Sequence, residues 1–310
     1  MRNPIPLPGD LPGRPFTLAE ALALGVSRGR FRNRSLKSLG RGIRSPEIAE
    51  LQVSHLARAY SLVTELSAAS HHTGAWTWLL PRPFQPKELA MIHITRPAGS
   101  AQMRRPGVIA HRSLLLPGEV TVVDGMRVTT RARTWLDLAE MLSIDELVVI
   151  ADHLVRIPRP YFEGRSEPYA TKAELSAMIE RHKGKRGVRK ARAALELSRV
   201  GADSAPETEL RLAVFRAGLP DPLVNEPIND GWATFVPSPD LSYREYKIAV
   251  EYEGGIHADP EKVDNDIRRE ERYRAAGWTQ IRISKRHMKN GAREAVNKIR
   301  EALIQAGWRP

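Results

Sequence analysis

The sequence predicts a chain that ends in an α/β domain (201–310), preceded by an α+β connecting region (47–200) and a short helix-turn-helix unit with a wing (1–46). Three observations carry this prediction. Lys247-Ile-Ala-Val-Glu-Tyr-Glu253 alternates as a strand does, with Ile248, Val250 and Tyr252 on one side and Lys247, Ala249, Glu251 and Glu253 on the other. Between Glu88 and Val128 the apolar residues fall in short runs, and Asp124-Gly125 marks a tight turn between the last two. Near the start, two short helical patterns flank Gly25, and the second is loaded with arginine.

Taken in order, residues 1–14 are rich in proline and read as an extended lead-in. Thr17 can cap a helix over Leu18–Leu24, and Ser27 can cap a second one carrying Arg28, Arg30, Arg32 and Arg34. Leu39-Gly-Arg-Gly-Ile-Arg44 then forms a glycine-bracketed wing with Arg41 and Arg44 available to a phosphate backbone. A solvated arginine face on a helical hairpin is the plainer reading of the same residues. Ile48–Ser70 has the spacing of one long helix. His71 and His72 follow it; adjacent histidines seldom address one ion, so capping or core packing is the better reading. His93, His111 and Arg112 fall on the short strands and read as ordinary surface polar positions. A helix is expected from Trp135 to Leu142, another from Glu146 to Val155 capped by Asp145, a loop from Ile157 to Tyr169, and a helix capped by Thr171 to His182. Residues 183–192 hold six cations, among them Lys185 and Arg186, and serve equally well as a phosphate-tracking helix start or a solvated linker. Gly201-Ala-Asp-Ser-Ala-Pro206 is the expected hinge into the last domain.

The chemistry concentrates between Asp240 and His257. A hairpin through Tyr243–Tyr246 returns Asp240 to the neighbourhood of Glu251, where Glu253 shares the strand face. Carboxylates held close repel one another, and a hard divalent cation with oxygen ligands, Mg2+ or Mn2+, is the common resolution. Asp240 and Glu251 are the expected metal ligands, with the Tyr252 carbonyl as a further oxygen. Gly254-Gly255 ends the strand and His257 follows.

Asp240, the Glu251-x-Glu253 pair, Gly254 and His257 resemble the core of PD-(D/E)xK nucleases. More narrowly, they resemble bacterial domains related to very-short-patch repair endonucleases. Upstream, Glu207 in Ser204-Ala-Pro-Glu-Thr-Glu-Leu-Arg211, and downstream Asp266-Ile-Arg-Arg269, Ala276-Gly-Trp278 and Thr279–Ser284, extend the likeness over about the last hundred residues. The N-terminal segment resembles the winged helix of AbiEi-type antitoxins. Ser70-His-His-Thr-Gly-Ala75 is similar to a signature of the same group, with Gly74 in place of an alanine and no closing glycine. The resemblance implies a restriction-endonuclease-like mixed sheet flanked by helices, a Mg2+- or Mn2+-dependent endonuclease or nickase, and DNA as partner. It leaves room for a homodimer and for a toxin or defence-system partner. It gives catalytic roles to Glu207, Asp240, Glu251, Glu253 and His257, and a supporting or phosphate-contacting role to Arg269. Glu253 stands where many of these nucleases carry lysine. Two readings follow: Glu253 helps hold a second cation while Lys247 or His257 supplies the charge or the proton, or the site is inactive and the chain is a DNA-binding regulator or antitoxin. The narrower group itself carries an acid there, which favours activity.

Composition favours a nucleic-acid partner, while a high-arginine proteome is the plainer source of the same basic balance. The formal charge is +12, and residues 207–310 hold 17 basic against 17 acidic side chains, so the excess lies upstream. Cysteine is absent, which excludes disulfides, thiolate metal sites and cysteine nucleophiles. No apolar run is long enough for a membrane span and no signal pattern opens the chain, so a cytoplasmic location is expected.

Overall fold

The computed structural model describes residues 5–46, 52–64, 66–81, 91–159, 163–228, 238–254 and 260–310, the side chains of the last segment from 267 onward. It divides into two compact units, Met1–Met141 with Arg181–Val188, and Leu142–Glu180 with Arg189–Pro310. The expected boundary at 200 therefore falls inside the second unit. The physical reason is a buried charge: Asp152 accepts Arg211 Nη2 at 2.8 Å, Thr208 Oγ1 at 3.0 Å and the Arg199 backbone N–H at 2.7 Å. Those bonds tie the helices on either side of the expected hinge into one core.

The first unit opens with β1 (Phe16–Thr17), α1 (Leu18–Ala23), α2 (Arg28–Phe31), β2 (Leu36–Ser38) and β3 (Ile43–Pro46), the strands ordered β1-β3-β2 and antiparallel. Thr17 and Glu20 form a reciprocal capping box, and the Ser27 hydroxyl accepts the Arg30 N–H. Leu11, Phe16, Ala21, Val26, Phe31 and Leu36 close a small core between the two helices and the strands.

The single helix expected over Ile48–Ser70 is not formed. Only α3 (Val53–Ser61) is helical among the described residues there, and β4 (Ala68–Ala69) follows. Ala68 pairs with Thr95 and Ala69 with both Ile94 and Val128, so interior ladder bonds override a helical spacing. With β5 (Ile92–Pro97), β6 (Val108–Ser113), β7 (Val120–Val123) and β8 (Met126–Thr129) the sheet runs β6-β5-β4-β8-β7. Asp124 and Gly125 take φ of 47° and 70°, the left-handed pair that a two-residue hairpin requires. Helices α4 (His71–Thr77) and α5 (Arg131–Leu138) complete this layer, α5 starting at Arg131 rather than Trp135.

Within the first unit the basic loop 183–188 lies against the end of α5. Gly187 has φ of +85°, and a Cβ there would stand 2.4 Å from the Ala139 carbonyl carbon. Gly187→Ala is expected to cost about 2–3 kcal/mol, read as a lower urea midpoint. Gly184→Ala, which meets open space, should change stability by less than about 0.5 kcal/mol.

In the second unit α6 (Ile144–Val155) is capped by Ser143 in a box with Glu146, while Asp145 pairs with Arg216 instead of capping. Helices α7 (Lys172–Arg181), α8 (Val188–Leu197) and α9 (Ala205–Arg216) precede a four-stranded sheet. Its strands β9 (Leu223–Val224), β10 (Leu241–Tyr243), β11 (Ile248–Glu253) and β12 (Thr279–Ser284) lie in the order β12-β11-β10-β9. The β11–β12 pair is parallel, joined through α10 (Pro260–Ala275), and the others are antiparallel, so the sheet is mixed as expected. One face packs Leu241, Ile248 and Val250 against Leu210 and Val214 of α9 and Ile299 and Leu303 of α11 (Lys289–Gln305). On the other face Ala249 packs with Tyr273 of α10. The alternation of β11 therefore separates two covered faces rather than a core and a solvent face.

Candidate functional site

The hairpin β10–β11 turns through Arg244–Tyr246 and Lys247, which takes the left-handed φ of 49°. Leu241 pairs with Val250, so one step further along the register sets Asp240 opposite Glu251. Asp240 Oδ2 accepts the Tyr252 N–H at 2.6 Å, which fixes the carboxyl at the end of the pair. Glu207, in the first turn of α9, accepts bonds from Ser204 Oγ at 2.7 Å, the Asp203 N–H at 2.8 Å and Asn225 Nδ2 at 3.0 Å. The Glu251 carboxylate accepts the Tyr273 hydroxyl at 2.6 Å and stands 3.1 Å from Arg269 Nε. Glu207 and Glu251 are both buried.

Burial pushes the Asp240 carboxyl up to about 7, and the nearby charges of Glu207 and then Glu251 add to it against the Tyr252 N–H and Arg269. Three carboxylates thus converge from a helix start and two neighbouring strands. Their donors are all hard oxygens, the kind a magnesium-class cation prefers, and the charges of Glu207 and Glu251 are part of what raises Asp240.

A stability effect follows from the raised Asp240. Between about pH 4 and pH 7 the folded chain holds a proton that the unfolded chain has released, so this residue makes stability fall as pH rises through that window. Asp240→Asn is expected to raise the melting temperature at pH 8 and leave it unchanged near pH 4. Three pK units set a ceiling of about 4 kcal/mol; screening should reduce the gain to about 1–2 kcal/mol. A melting curve series from pH 4 to 8 checks both sign and window.

Other predicted residues are placed differently. Glu253 is exposed and pairs with Arg282 Nε of the adjacent strand at 3.0 Å. Lys247 is exposed at the turn, four residues before Glu251 and therefore about 13 Å along the strand, too far to act on it. His257, Gly255 and the side chain of Asp266 lie outside the described residues. Arg269 joins the site through Glu251, and its Nη2 donates to the Ser238 carbonyl at 3.2 Å. Arg28, Arg32, Arg34 and Arg41 are exposed in the N-terminal segment. Arg30 is held by the Ile5 carbonyl at 2.7 Å and Ser35 Oγ at 3.0 Å. Lys185 turns inward to Asp137 at 3.1 Å because a buried carboxylate needs a counter-charge, whereas Arg186 faces solvent.

A second cluster lies in the first unit, where the sequence reads as one capping or core histidine, His71, and two surface ones, His93 and His111. His71, His93 and His111 bring one ring nitrogen each within 4.8 Å of the others. His71 and His93 are each 1% exposed, so His93 is an interior position and its reading as a surface residue is corrected. His93 Nδ1 and His111 Nε2 are 2.9 Å apart, the His71 ring stacks on His111 at 3.6 Å, and His71 Nε2 reaches Glu140 Oε1 at 3.1 Å. Burial first, then the neighbouring imidazoles, push His93 down to about 2; burial and His71 push His111 down to about 4. His93 and His111 are therefore neutral near pH 7. No local signal marked His93 as interior: Ile92-His93-Ile94-Thr95 alternates as a strand with one polar face does, and only packing on both faces buries it.

No protein-family model matches the chain. It is similar to two uncharacterized proteins of Mycobacterium tuberculosis, MT2308 of strain CDC 1551 / Oshkosh and Rv2248 of strain ATCC 25618 / H37Rv. Each is 26% identical over 201 residues, covering 64% of this chain and 69% of the relative. Among the described residues no helix is long and apolar enough to cross a membrane.

Proposed function

We propose that the chain is a divalent-cation-dependent DNA endonuclease or nickase whose second unit has a restriction-endonuclease-like fold. The observation that carries this reading is the register that sets Asp240 opposite Glu251 with Glu207 close enough to raise its pKa. Asp240 and Glu251 would hold Mg2+ or Mn2+, which when bound offsets phosphate charge and makes water more acidic. Glu207, immobilised by three donors, orients the attacking water or a ligand of the cation. Arg269 offers a guanidinium beside Glu251 that can face a phosphate oxygen. Attack forms a new phosphorus–oxygen bond as the ester oxygen departs, leaving a nick. The exposed Arg28, Arg32, Arg34 and Arg41 of the winged segment supply sequence-independent grip.

A second reading, a DNA-binding regulator or antitoxin that keeps the nuclease fold as scaffold, draws on one observation. Glu251 is paired with Arg269 and Glu253 with Arg282, so much of the local negative charge is offset from within the protein. Purified protein with Mg2+ or Mn2+ on supercoiled plasmid separates the two, beside Asp240→Ala and Glu251→Ala. Nicking lost in both variants supports the enzyme. Undiminished nicking in both overturns the site, and retention of DNA without nicking by any form supports the regulator.

A further inference from the structure

We propose that His71, His93 and His111, with Glu140 as fourth ligand, form a binding site for a divalent transition-metal ion of the zinc type. The three imidazoles come from separate elements, the start of α4 and the adjacent parallel strands β5 and β6, and their ligand nitrogens lie within 4.8 Å of one another. Such convergence of imidazoles in a buried place puts three ring nitrogens within reach of one point, and a cation is what they can share.

The surroundings hold the His71 ring in place. Ser70 Oγ bonds His71 Nδ1 at 2.9 Å and Thr95 Oγ1 at 2.7 Å, so the hydroxyl pair holds one ring nitrogen and leaves Nε2 directed at Glu140. His71 also adopts φ of 49°, a left-handed conformation that side-chain-bearing residues rarely take, at the first position of its helix. The His93–His111 nitrogen pair at 2.9 Å shares a single proton, which the ion would displace. Glu140 lies 3.1 Å from His71 and 3.8 Å from His111, placed to add an anionic oxygen. His111 and Glu140 keep 17% and 23% of their side chains exposed, which gives the ion an entry path from solvent. A set of three nitrogens and one oxygen selects zinc, cobalt or nickel over magnesium and calcium. This site is chemically distinct from the carboxylate cluster and does not depend on the nuclease reading.

The test is titration of chelator-treated full-length protein with Zn2+, repeated with Co2+ to follow the visible absorption of the bound ion. One equivalent is expected to bind, with a cobalt spectrum that includes nitrogen ligands. His111→Ala and Glu140→Gln, at the partly exposed edge, should weaken binding more than about tenfold, and Ser70→Ala about tenfold through loss of ring orientation. Asp240→Asn should bind zinc as the unaltered chain does, which separates this site from the acidic one. Circular dichroism confirms folding of each variant. Absence of a bound equivalent, or unchanged affinity in folded His111→Ala and Glu140→Gln, would show that the imidazoles merely pack and hydrogen-bond, and would overturn the proposal.

Discussion

Arg133→Met is expected to destabilise the first unit by about 4–5 kcal/mol. Arg133, Glu119 and Asp137 are each fully buried. The guanidinium bonds Asp137 Oδ1 at 3.0 Å, the Leu114 carbonyl at 2.7 Å and Ser113 Oγ at 2.8 Å, and also pairs with Glu119. Methionine matches the length but leaves two carboxylates with only part of their counter-charge. His182 Nε2 remains 2.8 Å from Glu119, and Lys185 remains 3.1 Å from Asp137. A double variant, Arg133→Met with Glu119→Gln, should recover part of the loss because one stranded charge is removed with it. Chemical denaturation of the three proteins measures the coupling; a loss below about 1 kcal/mol in the single variant would show that water reaches the network.

Asp240→Ala and Glu251→Ala are each expected to reduce plasmid nicking by about a hundred- to a thousandfold, since each removes a proposed ligand and every 1.36 kcal/mol of lost barrier reduction is tenfold. The two variants differ in their side effects. Removing Asp240 relieves a desolvated, repelled carboxyl, so the variant should fold as well as the parent or better above pH 7. Removing Glu251 deprives the Tyr273 hydroxyl and Arg269 of their shared partner, so some stability is lost with the activity. Glu251→Gln keeps an acceptor for Tyr273 while removing the charge, and loss of nicking in that folded variant assigns the effect to the carboxylate. Rates with Mg2+ and Mn2+, together with melting temperatures, make the comparison.

Most caps and turns were legible because their physics is local, although the cap expected at Asp145 is made by Ser143. Thr17 with Glu20, Ser27, Asp124-Gly125 and the Tyr243–Lys247 turn all use side chains or backbone conformations within four residues, and each forms where its spacing predicts. The Asp240–Glu251 pairing was legible for the same reason, since a short hairpin fixes its own register. The helix expected over Ile48–Ser70 failed because β4 takes its ladder bonds from β5 and β8, residues 25 to 59 positions away, and no local spacing records a partner at that distance. Glu253 shared the parity of Glu251, but its choice of Arg282 depended on β12 lying alongside.

The amino-acid order by itself determined the periodicity of the elements, the turn chemistry, the excess of positive charge before residue 207 and the carboxylates that one hairpin brings face to face. Tertiary structure alone decided which charges are buried together. Lys185 is bound to Asp137 rather than offered to solvent, Arg269 rests on Glu251, and three histidines separated by 40 positions meet in one interior place. Pattern along the chain reports which way a side chain points from its own backbone. Only the packing of distant elements supplies the desolvation and the partner that turn a polar residue into a site.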